Sequence, residues 1–175
     1  MMAQRAIDAL IAAHAAFVAH PVCSPPVALR FMKGLSGANS SVTAILRDGS
    51  FASWDGGTVT AVSGCCTTGA PEDPTHWELL RRSLVWLKAD CYKDLATHRQ
   101  LVAPSAQMFG ARGAEEVLKF KGSFLTEAVN YEVDAILDVD AANRVVVASF
   151  DCLIPGREGR GTDVMQFDGD LLVSG

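Results

Sequence analysis

Apolar positions first recur at helical spacing over residues 3–19, where Ile7, Leu10, Ile11, His14 and Val18 fall on one face. Pro21, Pro25 and Pro26 end that pattern. From Ser41 to Trp54 the text reads VTAILR, an Asp48-Gly49 turn, then SFASW, which predicts a hairpin. A second turn, Asp55-Gly56-Gly57, leads into the strand-like TVTAV. The stretch SGCCTTGAPEDP has the composition of a linker.

Helical spacing returns from Thr75 to Leu87, with Trp77, Leu80, Leu84 and Leu87 on one face and Val85 and Trp86 beside it. Thr75 is placed as an N-cap, with Glu78 three residues later in the capping-box position. A short helix over Lys93 to Leu101 follows, Pro104 ends it, and SAQMF forms a short strand. Gly113 to Thr126 is a third helix in this stretch, carrying Val117, Leu118, Phe120, Phe124 and Leu125. From Asn130 the period becomes that of strands: YEVDAILDV, a turn at Asp140 to Asn143, RVVVASFDCLI, the polar loop PGREGRG, and TDVMQF closed by Asp168-Gly169-Asp170. Helices gathered ahead of a run of antiparallel strands predict an α+β fold, with helices on one face of a bent sheet.

WDGGTVTAVSG at 54–64 resembles FDGDLLVSG at 167–175 apart from two extra residues, and each follows a strand and, further upstream, a helix. Residues 1–64 are therefore either an N-terminal extension or a degenerate copy of 111–175, in which Ser50 would match Asp163. Residues 65–74 form the expected linker, and 75–175 the main domain. Because the chain stops soon after its last turn, a divergent piece of a longer tandem protein is a further expectation.

Composition narrows the function class. The chain has 175 residues, 49% hydrophobic and 20% charged, with a net charge of −5, as in an ordinary soluble domain. No basic run points to a nucleic-acid partner. The apolar stretch AIDALIAAHAAFVA contains Asp8 and His14 and is too short to span a bilayer, so no membrane partner is expected. A cytoplasmic location is expected. The alternative is an organellar transit peptide, since residues 1–47 carry Arg5, Arg30, Lys33 and Arg47 against the single acid Asp8. Five cysteines, without a C-x-x-C pair, read as reduced thiols, with Cys65-Cys66 as linker residues. No metal-ligand spacing, nucleotide loop or nucleophile triad is visible, so no cofactor and no metal are expected.

The chemistry concentrates at one strand. Alternation puts Asp163 on the same face as Met165 and Phe167, with Thr162, Val164 and Gln166 on the other. A carboxyl turned toward Met and Phe neutralises, finds a buried Arg or backbone donor, or serves a function.

Residues 75–175 resemble the nuclear-transport-factor-2-like superfamily, in its SnoaL-like and ketosteroid-isomerase-like branch. The likeness rests on the order of elements, on GARGAEEVLKF, and above all on TDVMQFDGD. It implies a cone-shaped fold in which three helices pack on a strongly curved antiparallel sheet around a pocket. It implies that Asp163 is the catalytic acid, protonated and donating to an enolate oxygen; a carboxylic acid kept neutral in that enzyme is a familiar example of an apolar site at work. The matching alignment puts Trp86 where the isomerases have an oxyanion-hole tyrosine, and Gly110 where they have the general-base Asp. The missing base leaves enzyme status open.

The expected ligand-lining residues are Trp86, Met108, Phe109, Phe124, Phe150, Met165 and Phe167, each of which could equally be plain core. Asp151 reads as facing out of the strand, and His98 as a conceivable base or an ordinary packed histidine. The expected function is binding of a small hydrophobic molecule, with general-acid isomerase- or cyclase-type chemistry in reach. The alternative is a non-catalytic dimerisation module. A homodimer is the expected assembly in both cases.

Overall fold

The computed structural model describes residues 6–20, 26–32, 40–46, 49–62, 75–127, 130–132, 136–153, 156 and 158–175. The expected linker with Cys65-Cys66 lies outside the described residues, as does the side chain of Asp151.

The elements run α1 (Ala6–Ala19), β1 (Pro26–Met32), β2 (Ser41–Leu46), β3 (Phe51–Trp54), β4 (Val59–Val62), α2 (Thr75–Cys91), α3 (Leu95–Leu101), β5 (Val102–Met108), β6 (Ala111–Arg112), α4 (Ala114–Glu127), β7 (Asn130–Glu132), β8 (Ile136–Asp140), β9 (Val145–Leu153), β10 (Gly159–Asp168) and β11 (Leu171–Ser174). The architecture is α+β, with four helices among the described residues against one large curved sheet. Three of those helices fall within 75–175. The expectation of a purely antiparallel sheet is corrected: β11 runs parallel to β5, pairing Leu172 with Val102 and Ser174 with Gln107. That pairing is reached because β5 precedes the meander and β11 ends it, so they meet after a long crossover.

The sheet order is β4-β3-β2-β1-β8-β9-β10-β11-β5-β6, with β7 also paired to β9. The strand β1, which follows two prolines and carries no alternation that the sequence pattern picked out, is the seam. It pairs antiparallel with β8 through Ala28↔Asp138, Leu29↔Leu137 and Arg30↔Ile136. Four strands therefore meander away from the seam on each side, β1 to β4 and β8 to β11, each set following a helix. The register also relates the two sides. One row runs Leu29, Ala44, Ala52 and its counterpart runs Leu137, Ala148, Asp163. Ala52, not Ser50, thus occupies the place matching Asp163. The strand β10 carries two more residues between that row and its closing aromatic than β3 does.

The helix α2 is shared by both sides. Trp77 and Trp86 stand nine residues apart, about two and a half turns, which sends them to opposite sides of the helix. Trp77 packs on α1, stacked on Phe17 at 6.2 Å and edge-on to His14 at 5.6 Å. Trp86 packs edge-on to His98 of α3 at 4.1 Å. On its outer surface Arg82 joins Glu78 (3.0 Å) to Asp170 in the β10–β11 turn (2.7 Å). Arg81 closes on the same Glu78 at 2.6 Å, and with Arg82 it holds that carboxyl down to about 2.

Candidate functional site

The ten residues of β10 alternate as the sequence requires: Asp163, Met165 and Phe167 are buried, while Thr162, Val164 and Gln166 are exposed. Asp163 is 3% exposed, and its Oδ1 has no hydrogen-bond partner among the described residues. Burial pushes its carboxyl above the ordinary range, and the negative Asp90 adds to this, while Lys121 and His98 pull the other way. Two residues upstream, Gly161 shares the buried face. A Cβ there would meet Phe150 Cζ at 2.4 Å, so the glycine is what lets the Phe150 ring lie across the strand beside Asp163.

Facing this strand is a buried polar cluster drawn from three helices. Asp90 near the end of α2 is fully buried. Lys121 of α4 donates to both its oxygens, at 3.0 Å to Oδ1 and 2.9 Å to Oδ2. His98 of α3, also fully buried, sets Nε2 2.8 Å from Asp90 Oδ1, an ion-pair contact rather than a well-aligned hydrogen bond. Burial would raise the Asp90 carboxyl, but the Lys121 charge with its two hydrogen bonds and the close His98 ring outweigh it and hold Asp90 low. The Lys121 ammonium also lies 5.0 Å from the Trp86 ring and 5.5 Å from that of Phe124, a cation–π arrangement that shares its charge with the aromatic wall.

Local structure explains the placement. Asp94 caps the short α3, accepting from the Thr97 backbone N–H at 3.1 Å and from its hydroxyl at 2.6 Å. This fixes His98, one turn on, against α2. Val117, Lys121 and Leu125 are the buried residues of α4 and lie one turn apart, so Lys121 sits on the apolar stripe.

The structure brings Asp163, Trp86, Phe124, Phe150, Met165, Phe167 and Met108 into or against one core. Trp86 is fully buried and its Nε1 has no partner among the described residues. Phe109 lies elsewhere. Phe109 and Gly110 form the two-residue turn between β5 and β6 with φ of 47° and 89°, which carries Phe109 out to 68% exposure, its ring 5.2 Å from that of Phe120. Gly110, which the resemblance aligns with the isomerases' general base, is exposed in that turn. Asp90 and Lys121 were not singled out by the sequence pattern. Their signal was present: Asp90 stands one turn beyond Trp86, and Lys121 interrupts an apolar stripe at Val117 and Leu125.

Among the described residues no group of three His, Cys, Asp or Glu is placed to hold a metal, and no helix is long and apolar enough to cross a membrane.

No protein-family model and no curated protein matches the chain. Among solved structures, a steroid delta-isomerase from Pseudomonas aeruginosa is similar at 23% identity and a TM-score of 0.49, over 55% of this chain and 74% of that one. TsrD from Streptomyces laurentii is similar at 15% identity and a TM-score of 0.40, over 59% of this chain and 86% of that one.

Proposed function

We propose that the interior bounded by α2, α3, α4 and β10 binds a small hydrophobic molecule carrying a carbonyl-type oxygen, and that Asp163 is its hydrogen-bond donor. The observation that carries this is the Asp163 carboxyl, buried on the face it shares with Met165 and Phe167, with an oxygen, Oδ1, that no group among the described residues satisfies. A buried polar atom left unpaired costs about 1–3 kcal/mol, and a ligand oxygen offsets that cost. Trp86 Nε1–H, equally unpartnered, is a second donor of fixed polarity. Two donors in an apolar wall stabilise charge developing on an oxygen, which is the electrostatic requirement of general-acid isomerisation or cyclisation.

Native mass spectrometry of the freshly purified chain and of Asp163→Asn tests the reading. The expected result is a discrete extra mass on the wild type, lost on denaturation and absent from the variant, with thermal stability of the two alike. Equal loss of ligand and of fold would remove Asp163 from the site. A bare dimer in both proteins would favour the association module instead.

A further inference from the structure

The sheet ends differently on its two sides. At one end, β6 is only Ala111–Arg112. The Arg112 side chain is exposed, and its backbone N–H is taken by Glu116 Oε2 at 2.9 Å. A short edge with a charge and a capped donor discourages further pairing. At the other end, β4 is Val59–Val62, with no charge and no proline. It pairs with β3 in unbroken register, from Phe51↔Val62 to Trp54↔Val59, so no bulge blunts it. Among the described residues no strand pairs with its outer side. Alternate N–H and C=O groups of an edge strand point outward, in the pattern a further strand needs.

The opposite side of the seam shows what fits there. Counted outward from the β1–β8 pair, β4 and β11 are both the fourth strand. The outer side of β11 is occupied: β5 lies along it, parallel, through Leu172↔Val102 and Ser174↔Gln107. That strand buries Ala106 and Met108 and exposes Gln107 between them. Beside β4 the matching seat is flanked by Trp54 and the half-buried Val59 on the buried face, and by the exposed Thr60 on the other. Ahead of β4 stands the exposed Asp55 carboxylate, which accepts from the Gly57 and Thr58 N–H groups at 3.2 and 3.0 Å.

We propose that the outer edge of β4 is a docking site for an extended segment of a partner protein, which joins the sheet parallel to β4. The segment has small or apolar residues at alternate positions, as β5 has, polar residues between them, and a Lys or Arg just ahead of the strand. Backbone hydrogen bonds supply the affinity, and the alternation sets which face turns inward. The basic residue follows from the direction: a strand parallel to β4 enters at the end where Asp55 stands. A second copy of the chain fits less well. Two copies meeting edge to edge across a twofold axis perpendicular to the sheet pair antiparallel, unlike β11 and β5. An edge of four residues falls far short of the roughly 1,200 Å² that a stable interface buries, and each copy carries a net charge of −5. The site is separate from Asp163 and does not depend on what binds there.

The probe is a synthetic peptide of residues 99–108, RQLVAPSAQM, which is β5 with Arg99 ahead of it, added to the full wild-type chain. Hydrogen exchange read by NMR should show alternate amides of β4 exchanging fast in the free chain and slowed about tenfold or more by the peptide. Two N-methylated peptides separate backbone pairing from side-chain contact, one modified at Ala103, Ser105 and Gln107, the other at Val102, Ala106 and Met108. Only one set of amides faces β4, so one version should bind about tenfold more weakly than the other. Asp55→Asn, which keeps the turn, should weaken the parent peptide about threefold at low salt. Unaltered binding to that variant would overturn the need for a basic residue. Slow exchange all along β4 in the free chain would overturn the site, because the edge is then already covered. No change at about 1 mM peptide, or equal loss from both methylated versions, would overturn it too. Protection of β4 that grows with protein concentration alone would give the edge to a second copy and overturn the partner segment.

Discussion

The two sides of the seam answer the same geometry with opposite chemistry. In β1 to β3 the row across the sheet is Leu29, Ala44 and Ala52, all fully buried, beneath Ile7, Leu10 and Phe17 of α1. In β8 to β10 the matching row is Leu137, Ala148 and Asp163, on the side where α2 to α4 contribute Asp90, His98 and Lys121. The first side is not free of polar groups: His14 Nε2–H donates to the Trp77 carbonyl at 2.7 Å, with burial, chiefly, lowering its pKa, while Trp77 Nε1 is buried with no partner among the described residues. What sets the second side apart is a buried acid, Asp163, whose Oδ1 has no partner among the described residues. A packed hydrophobic core stabilises without specifying chemistry, whereas partly satisfied buried polar groups are kept at a cost, and that cost marks where to look for function.

The sharpest way to break this comparison is to move the acid. Ala52→Asp places a carboxyl in the dry row with no Lys121 or His98 beside it. A fully buried acid shifts by up to about 3–5 pK units and is then protonated at pH 7, so the substitution should destabilise the fold by roughly 4 kcal/mol at that pH in urea denaturation, about the cost of protonating an ordinary carboxyl there. A loss below about 1 kcal/mol would mean that the two rows are equally tolerant and the contrast is only one of composition.

Next in size is Lys121→Met, which keeps the volume but strands Asp90. Removing one partner of a buried ion pair should cost about 3–5 kcal/mol, and adding Asp90→Leu should recover most of it. Non-recovery would show that the cluster holds the fold itself rather than only neutralising Asp90.

The smallest effect lies in the pH dependence. The Asp163 pKa is raised in the native state, so its contribution to stability is fully present below the ordinary carboxylate range, near pH 4, and is lost as pH rises through the native value. Glu78 and Asp90, both held low, act in the opposite sense, and their contributions are lost as pH falls. Asp163→Asn should therefore gain on the wild type as pH increases above about 4, in denaturation curves collected at a series of pH values. Parallel stability profiles would show that Asp163 ionises as a surface acid does.

Local pattern was enough for much of this protein. Helical spacing marked α1, α2 and α4; the Asp48-Gly49 and Asp55-Gly56-Gly57 turns marked the β2–β3–β4 meander; strict alternation put Asp163 with Met165 and Phe167. Each of these depends on residues within a turn or a strand of one another, so neighbouring side chains carry the signal. What the sequence did not determine was who meets whom at a distance. The strand β1 opens on Pro26, directly after Pro25 in the sequence, and pairing with β2 and β8 gives it a place in the sheet. Phe109 looked like an inner strand residue until the hairpin turned it outward. Asp90 and Lys121, each a misplaced charge on its own helix, became an explained pair only when α2 and α4 were packed together. Burial and Coulomb attraction act through space between segments far apart in the chain, so the identity of the acid was written in the sequence while its company was decided by the tertiary fold.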